Sequence, residues 1–292
     1  MLSKDLLSQV RKIEIRTRRI VDDITAGAYH SVFKGSGIEF DEVREYTPED
    51  DVRDIDWNVT ARMGAPYVKK YVEERELTVV LAVDVSASSM FGSGDKTKAR
   101  NAAEIAALLA FSAIRNNDRV GLLLFTDKTE FYLPPKSGKT HGLRLIRELM
   151  AREPEGRGTD ISGALDTLMR MLRKRAVIFL ISDFIDEKDF SKRLTIANKR
   201  HDVVAVRVLD PLELSMPKTS NLVIEDAETG AVTLFPGKNR RRLRRYAEAA
   251  TEAHAKNTEI CRRAKVDLMD FRLGEDIVKP LVTFFRRRRS KQ

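Results

Sequence analysis

The sequence predicts an α/β fold: a doubly wound, mostly parallel sheet with helices on both faces. Two observations predict it. From Leu77 to Leu209, continuous apolar runs alternate with helical segments, and runs without polar alternation mark strands covered on both sides. The helical segment Lys96–Asn116 is apolar nearly all round (Ala-Ala-Glu-Ile-Ala-Ala-Leu-Leu-Ala-Phe at its centre), as expected of a buried helix rather than a surface one.

Residues 1–75 are expected to form an N-terminal α+β extension. Residues 1–25 read as a charged helix with a thin apolar stripe of Leu6, Val10, Ile13 and Ile20, which docks on the body of the protein or on a partner. Residues 27–75 are turn-rich, with short strand-like pieces and the single tryptophan, Trp57.

Residues 76–210 form the core. Leu77–Val83 is a strand ending at Asp84. After the buried helix, Arg119–Phe125 is a second strand and Thr129–Leu133 a short antiparallel edge strand. Gly142–Met150 and Asp160–Leu172 read as helices, Ala176–Ile181 as a strand, Asp189–Lys199 as a helix and Val203–Leu209 as a strand. Residues 211–236 are expected to insert a hairpin, Asn221–Phe235, turning at Glu228-Thr229-Gly230. Residues 237–292 complete the sheet with a helix (Lys238–Lys265), a strand (Val266–Leu273), a helix (Asp276–Arg287) and a basic tail.

Composition narrows the function. A length of 292 residues suits one large α/β domain with additions. The single cysteine, Cys261, excludes an internal disulfide framework and fits a reducing compartment, and four scattered histidines offer no zinc-ligand spacing. The N-terminus lacks a secretory apolar region, and the most apolar stretches, Ile105–Ile114 and Ala176–Ile181, fall short of the roughly 20 residues of a spanning helix. A cytoplasmic protein without an integral membrane segment is expected. The net charge of +9 is uneven: Arg240, Arg241, Arg242, Arg244 and Arg245 fall within six residues, and Arg286–Arg289 is a run of four. Such clusters can bind phosphates, giving a nucleic-acid-associated protein as one alternative. A solvated helix face and a frayed tail are the plainer reading.

Three pieces carry chemistry: Asp84-Val85-Ser86-Ala87-Ser88 after the first core strand, Gly158-Thr159-Asp160 at a helix start, and Ser182-Asp183 after the fourth core strand. In the strand order 3-2-1-4-5-6 the first and fourth strands are neighbours, and ligands bind in the crevice beyond their carboxyl ends. Asp84 and Asp183 would meet there. Two carboxylates with the hydroxyls of Ser86, Ser88 and Thr159 make an all-oxygen donor set suited to a hard cation. Mg²⁺ is expected, with Mn²⁺ or Ca²⁺ as substitutes, the aspartates ligating directly or through water. An open coordination position would accept an acidic side chain from a protein partner. The bland reading is that Ser86 and Ser88 cap a turn.

Asp84-x-Ser86-x-Ser88, Thr159 and Asp183 resemble the metal-ion-dependent adhesion site of von Willebrand factor A domains, a Rossmann-like fold; all five positions are present. A second resemblance is narrower. Gly35-Ser36-Gly37-Ile38-Glu39-Phe40, then Arg44-x-Tyr46-x-Pro48-x-Asp50-Asp51-x-Arg53-x-Ile55-Asp56-Trp57 and Ala61-Arg62, with Asp84 to Met90 and Ser182-Asp183-Phe184, are similar to the signature of a bacterial family known as domain of unknown function number fifty-eight. Together the two resemblances cover about residues 27–210, with a looser similarity from Val266 to Arg286. They imply a partner of MoxR-type AAA+ ATPases, an adaptor that helps assemble or activate client proteins. Many members carry an N-terminal membrane hairpin, which is not expected here, and Glu49 stands where glycine is usual. The alternating acids and arginines of Arg44–Trp57 suit a buried ion-pair network anchored by Ile55 and Trp57, or else a partner surface.

Two other chemistries fit the residues less well. Ser137-Gly138-Lys139-Thr140 suggests a phosphate-binding loop, but Leu133 stands where that loop needs glycine, and Pro134 and Pro135 remove N–H donors. A metal-dependent hydrolase would add a base or a second metal; Asp160, Asp186 and Glu187 lie near in sequence and no histidine does. The expectation is therefore a non-enzymatic binding module.

Overall fold

The computed structural model describes residues 37–74, 76–94, 96–227 and 230–290. The helix expected over residues 1–25, Gly35 and Ser36 of the signature, and Glu228 and Thr229 of the hairpin turn lie outside these. The described residues form two compact units, 37–77 and 78–290.

In the smaller unit, β1 (Gly37–Glu45) and β2 (Tyr67–Glu74) pair antiparallel with an irregularity between Phe40 and Glu42. Between them lie a single 3₁₀ turn, Val52–Asp54, and the short helix α1, Trp57–Met63. Gly64, at φ +75°, ends α1 in the left-handed conformation that a C-terminal cap favours. Ile55 bridges to Val68, which is buried.

In the larger unit, six strands stand in the order β10-β7-β6-β3-β4-β5: β3 (Thr78–Asp84), β4 (Arg119–Phe125), β5 (Thr129–Lys136), β6 (Val177–Ser182), β7 (Asp202–Leu209) and β10 (Asp267–Arg272). Every adjacent pair is parallel except β4 with β5. Counted from β3, this is the order 3-2-1-4-5-6 expected of a doubly wound sheet. One face, through Val80, Ala82, Ile178, Leu180, Val203 and Ala205, packs on α4 (Ile161–Met171), α5 (Ser191–Arg200) and Cys261 of α7 (Arg240–Arg263). The alternate residues Val79, Leu81 and Val83 are equally buried but belong to the other face, where α2 (Lys98–Arg115) packs against β3, β4, β6 and β7. That explains why the strands read as unbroken apolar runs and why α2 is apolar all round. Gly142 lies within α3 (Lys139–Ala151) because α3 comes close to α2: a Cβ there would stand 2.2 Å from Ile114 Cδ1.

Several expectations are corrected. β5 runs on through Pro134 and Pro135 to Lys136, which an edge strand tolerates because its outer N–H groups pair with nothing in the sheet. α3 begins at Lys139, three residues before the expected start at Gly142. A one-turn helix, α6 (Pro211–Leu214), follows β7 and was not anticipated. The expected hairpin does form, from β8 (Asn221–Glu225) and β9 (Val232–Pro236), as a two-stranded sheet of its own. The C-terminal arginines are no frayed tail: α8 (Val278–Arg289) includes them, and Arg287 and Arg288 pair with Asp267 at 3.4 and 3.6 Å while Arg288 also reaches Asp202. Among the described residues no helix is long and apolar enough to cross a membrane.

Candidate metal centre

β3 and β6 lie side by side, with Val83 opposite Ile181. Asp84 and Ser182, each the last residue of its strand, therefore share one rim of the sheet, and Asp183 follows directly. Three backbone bonds draw the surrounding loops together: Val85 N–H to Phe125 O (2.9 Å), Ala87 N–H to Arg157 O (2.9 Å) and Asp160 N–H to Thr126 O (3.0 Å). The second ties the 157–160 loop, and Thr159 with it, to the Asp84–Ser88 loop, and the third ties it to the residue after β4. Asp160 then caps α4 by accepting from Gly163 N–H at 2.8 Å.

The five sequence-predicted ligands converge. Asp84 Oδ1 accepts the N–H of Ser86 at 2.9 Å, and its Oδ2 lies 3.4 Å from the Thr159 hydroxyl. The Ser86 and Ser88 hydroxyls are 3.2 Å apart, and Ser88 Oγ donates to Asp183 Oδ2 at 2.9 Å. All but Ser88, which is half-buried, are buried. A small cavity of about 10 Å³ opens among Asp84, Ser88, Lys98 and Asp183.

Three further residues belong to the site. Ser182 Oγ donates to Asp84 Oδ2 at 2.7 Å and accepts Phe184 N–H at 2.9 Å. Lys98, 2% exposed in the first turn of α2, donates to Asp183 Oδ2 at 2.7 Å and to Glu213 of α6. Ser182 was read only as part of a dipeptide, and Lys98 as one residue of an apolar helix. Glu213 had a visible signal: Asp210-Pro211-Leu212-Glu213 spells a capping box, which the structure forms. Phe184, directly after Asp183, adopts φ +61°, costly for a non-glycine residue. Asn257 holds it by donating to its carbonyl at 2.8 Å, and its ring is buried against Phe190.

Electrostatics follow from burial. Asp84 is pushed up to about 6 by desolvation and then by the charge of Asp183, opposed by the bonds from Ser86 and Ser182. Burial works against the Lys98 ammonium, but Asp183 and Glu213 outweigh it and hold its pKa above the ordinary lysine value. Burial raises Glu213 despite Lys98.

These residues fit a hard divalent cation. Two carboxylates that repel one another and three hydroxyls face one small space, all through oxygen. Among the described residues no three His, Cys, Asp or Glu side chains group as ligands, so an ion here would lean on the hydroxyls and on water.

The other predicted residues lie elsewhere. Arg44 pairs bidentately with Asp50, at 2.9 and 2.5 Å, and Asp50 also accepts from Thr47; Arg44 is the first cause that holds Asp50 at about 2. Asp51 caps the 3₁₀ turn through Arg53 N–H, Asp56 caps α1 and pairs with Lys69 at 3.2 Å, and Tyr46 N–H donates to Pro66 O. The expected buried network is thus a set of local turn and cap bonds, largely exposed, because each carboxylate serves the backbone next to it. Trp57 is no buried anchor: it is 67% exposed in the first turn of α1. Arg240, Arg241, Arg242, Arg244 and Arg245 are exposed on the first turns of α7, and Arg244 pairs with Glu248 at 2.7 Å.

Residues 42–257 match the family model described as "Protein of unknown function DUF58". The chain belongs to this family. This DUF58 member is 32% identical over 286 residues to "Uncharacterized protein Rv1480" of Mycobacterium tuberculosis, covering 97% of this chain and 90% of that protein. It is equally similar to "Uncharacterized protein Mb1516" of Mycobacterium bovis. Among solved structures it is similar to the conserved hypothetical protein BatB from Bacteroides thetaiotaomicron, at 18% identity and a TM-score of 0.46 over 74% of this chain and 100% of that one. Its similarity to the SpRpn10 VWA domain has 12% identity and a TM-score of 0.39, over 72% of this DUF58 chain and 95% of that one.

Proposed function

We propose that this chain is a non-enzymatic, divalent-metal-dependent protein-interaction module of the cytoplasm, the adaptor of a MoxR-type AAA+ ATPase in chaperone-like assembly or activation of client proteins. The observation that carries the metal reading is the convergence of Asp84, Ser86, Ser88, Thr159 and Asp183 from three loops at the rim of β3 and β6. Those residues would hold Mg²⁺, with Mn²⁺ or Ca²⁺ acceptable to the same oxygens. Bound there, the ion supplies positive charge and an open coordination position for a partner's carboxylate. The chain's own residues orient it. Ser182 fixes Asp84, and the Phe184 turn fixes Asp183. Support for a protein partner comes from the exposed apolar residues beside the ligands: Met90 and Phe91 after Ser88 (64% and 40% exposed) and Ile185 after Asp183 (51%). The ATPase assignment rests on what the resemblance of the signature residues implies.

The test is capture of a purified MoxR-type ATPase from the same organism by wild type and Asp84→Ala, each with Mg²⁺ and with EDTA. Capture by wild type in Mg²⁺ alone is the expected result. Equal capture in all four lanes would remove the metal from the function, and no capture in any would remove the ATPase.

A further inference from the structure

We propose that Lys98 is a tethered counter-ion that competes with the divalent metal for Asp183, and that Glu213 is the carboxylate that keeps the ammonium when the metal is bound. The inference rests on the metal reading above.

A lysine in the first turn of a buried helix is doubly disfavoured. Its charge is out of water, and it stands at the positive end of the helix dipole. Lys98 is nevertheless buried, and its ammonium bridges two carboxylates 30 residues apart in the chain, Asp183 and Glu213. On Asp183 it takes Oδ2, the same oxygen that accepts from the ligand hydroxyl of Ser88. An ion held between Ser88 and Asp183 must claim that oxygen, and two cations sharing it would repel strongly in a buried setting. The ammonium has somewhere to go. Glu213 is locked in place: its Oε2 accepts the N–H of Asp210 at 3.1 Å, and Asp210 in turn accepts from Leu212 N–H at 2.8 Å and Ser93 N–H at 2.7 Å. Asp84, Asp183, Glu213 and Lys98 together carry two net negative charges when ionised, which one divalent ion would cancel. Lys98 thus keeps the carboxylate rim neutralised enough to fold without metal, weakens metal affinity, and links occupancy of the site to the α6 turn.

The test is the dissociation constant of Mn²⁺, read by electron paramagnetic resonance on purified wild type, Lys98→Met and Glu213→Gln, with circular dichroism to verify folding. Removing the competing charge should tighten Mn²⁺ binding by about ten-fold or more, the scale of a unit charge a few ångströms away. Glu213→Gln should weaken it by a similar factor, because the ammonium then has only Asp183 to hold. This second variant carries the test if Lys98→Met does not fold. Equal affinity in wild type and in every folded variant overturns the inference and leaves the metal reading standing. No Mn²⁺ binding by any of the proteins overturns both.

Discussion

Ser182 on β6 donates its hydroxyl to Asp84 on β3 across 2.7 Å, and the same oxygen accepts the backbone N–H of Phe184 at 2.9 Å. One side chain therefore fixes the orientation of one candidate ligand and the turn that presents the other, Asp183. Groups that orient metal ligands in this way typically contribute ten- to a hundred-fold in affinity. Ser182→Ala should weaken Mg²⁺ binding by about ten-fold or more while leaving the circular dichroism spectrum unchanged. Titration calorimetry would measure it, and an unchanged affinity would make Ser182 a turn residue only.

Metal should act as a stabilising ligand. An ion present at about a hundred times its dissociation constant adds about 2.7 kcal/mol to the folded state, so wild type should melt several degrees higher in Mg²⁺ than in EDTA. Asp84→Asn should lose that gain. In EDTA it should melt no lower than wild type, because the buried charge and its repulsion by Asp183 are both removed. A Mg²⁺-dependent rise that survives in Asp84→Asn would place the ion elsewhere.

The loop that brings Thr159 has a steric condition. A Cβ on Gly156 would stand 2.2 Å from both Thr126 Oγ1 and Asp127 Oδ1. Gly156→Ala must displace this loop, with a loss of about 1–3 kcal/mol typical of overpacking, and with it a weaker site. Denaturant unfolding and metal titration of the same variant would check both parts, and a variant with wild-type stability and affinity would show that the loop yields without consequence.

His201 gives the fold an acid-sensitive point. Its side chain is buried, and neither ring nitrogen has a hydrogen-bond partner. Burial, and then Arg200 and Arg175, lower its pKa below the usual 6.5. The unfolded chain thus binds this proton more readily than the folded one. The stability contributed by neutral His201 is complete above the unfolded value and is lost as pH falls below it. His201→Phe should flatten the decline of melting temperature as pH falls below about 6.5. An equally steep decline in that variant would assign the acid sensitivity to other groups.

Much of this architecture is legible in the residues themselves. The unbroken apolar runs at 79–83 and 177–181 read as two-sided strands, and in the strand order usual for a doubly wound sheet their positions in the chain put Asp84 and Asp183 at neighbouring strand ends. The strand expected over Thr129–Leu133 runs on to Lys136, and only its place at the sheet edge makes Pro134 and Pro135 acceptable within it. Trp57, expected to anchor a buried ion-pair network or else to belong to a partner surface, stands open in its unit beside Asp56, the cap of its own helix.

The sequence by itself determined the sheet, its strand order and the five candidate oxygen donors that the fold brings together, because hydrophobic periodicity and strand-end motifs are local features that burial on two faces turns into long-range order. Only the tertiary structure decided the rest of the site. Lys98 and Glu213 are separated by 115 positions, and no periodicity marks a lysine as buried. A charge is tolerated in the interior only where a distant segment delivers its opposite, and that pairing exists only once α2, the end of β6 and the α6 turn have packed together.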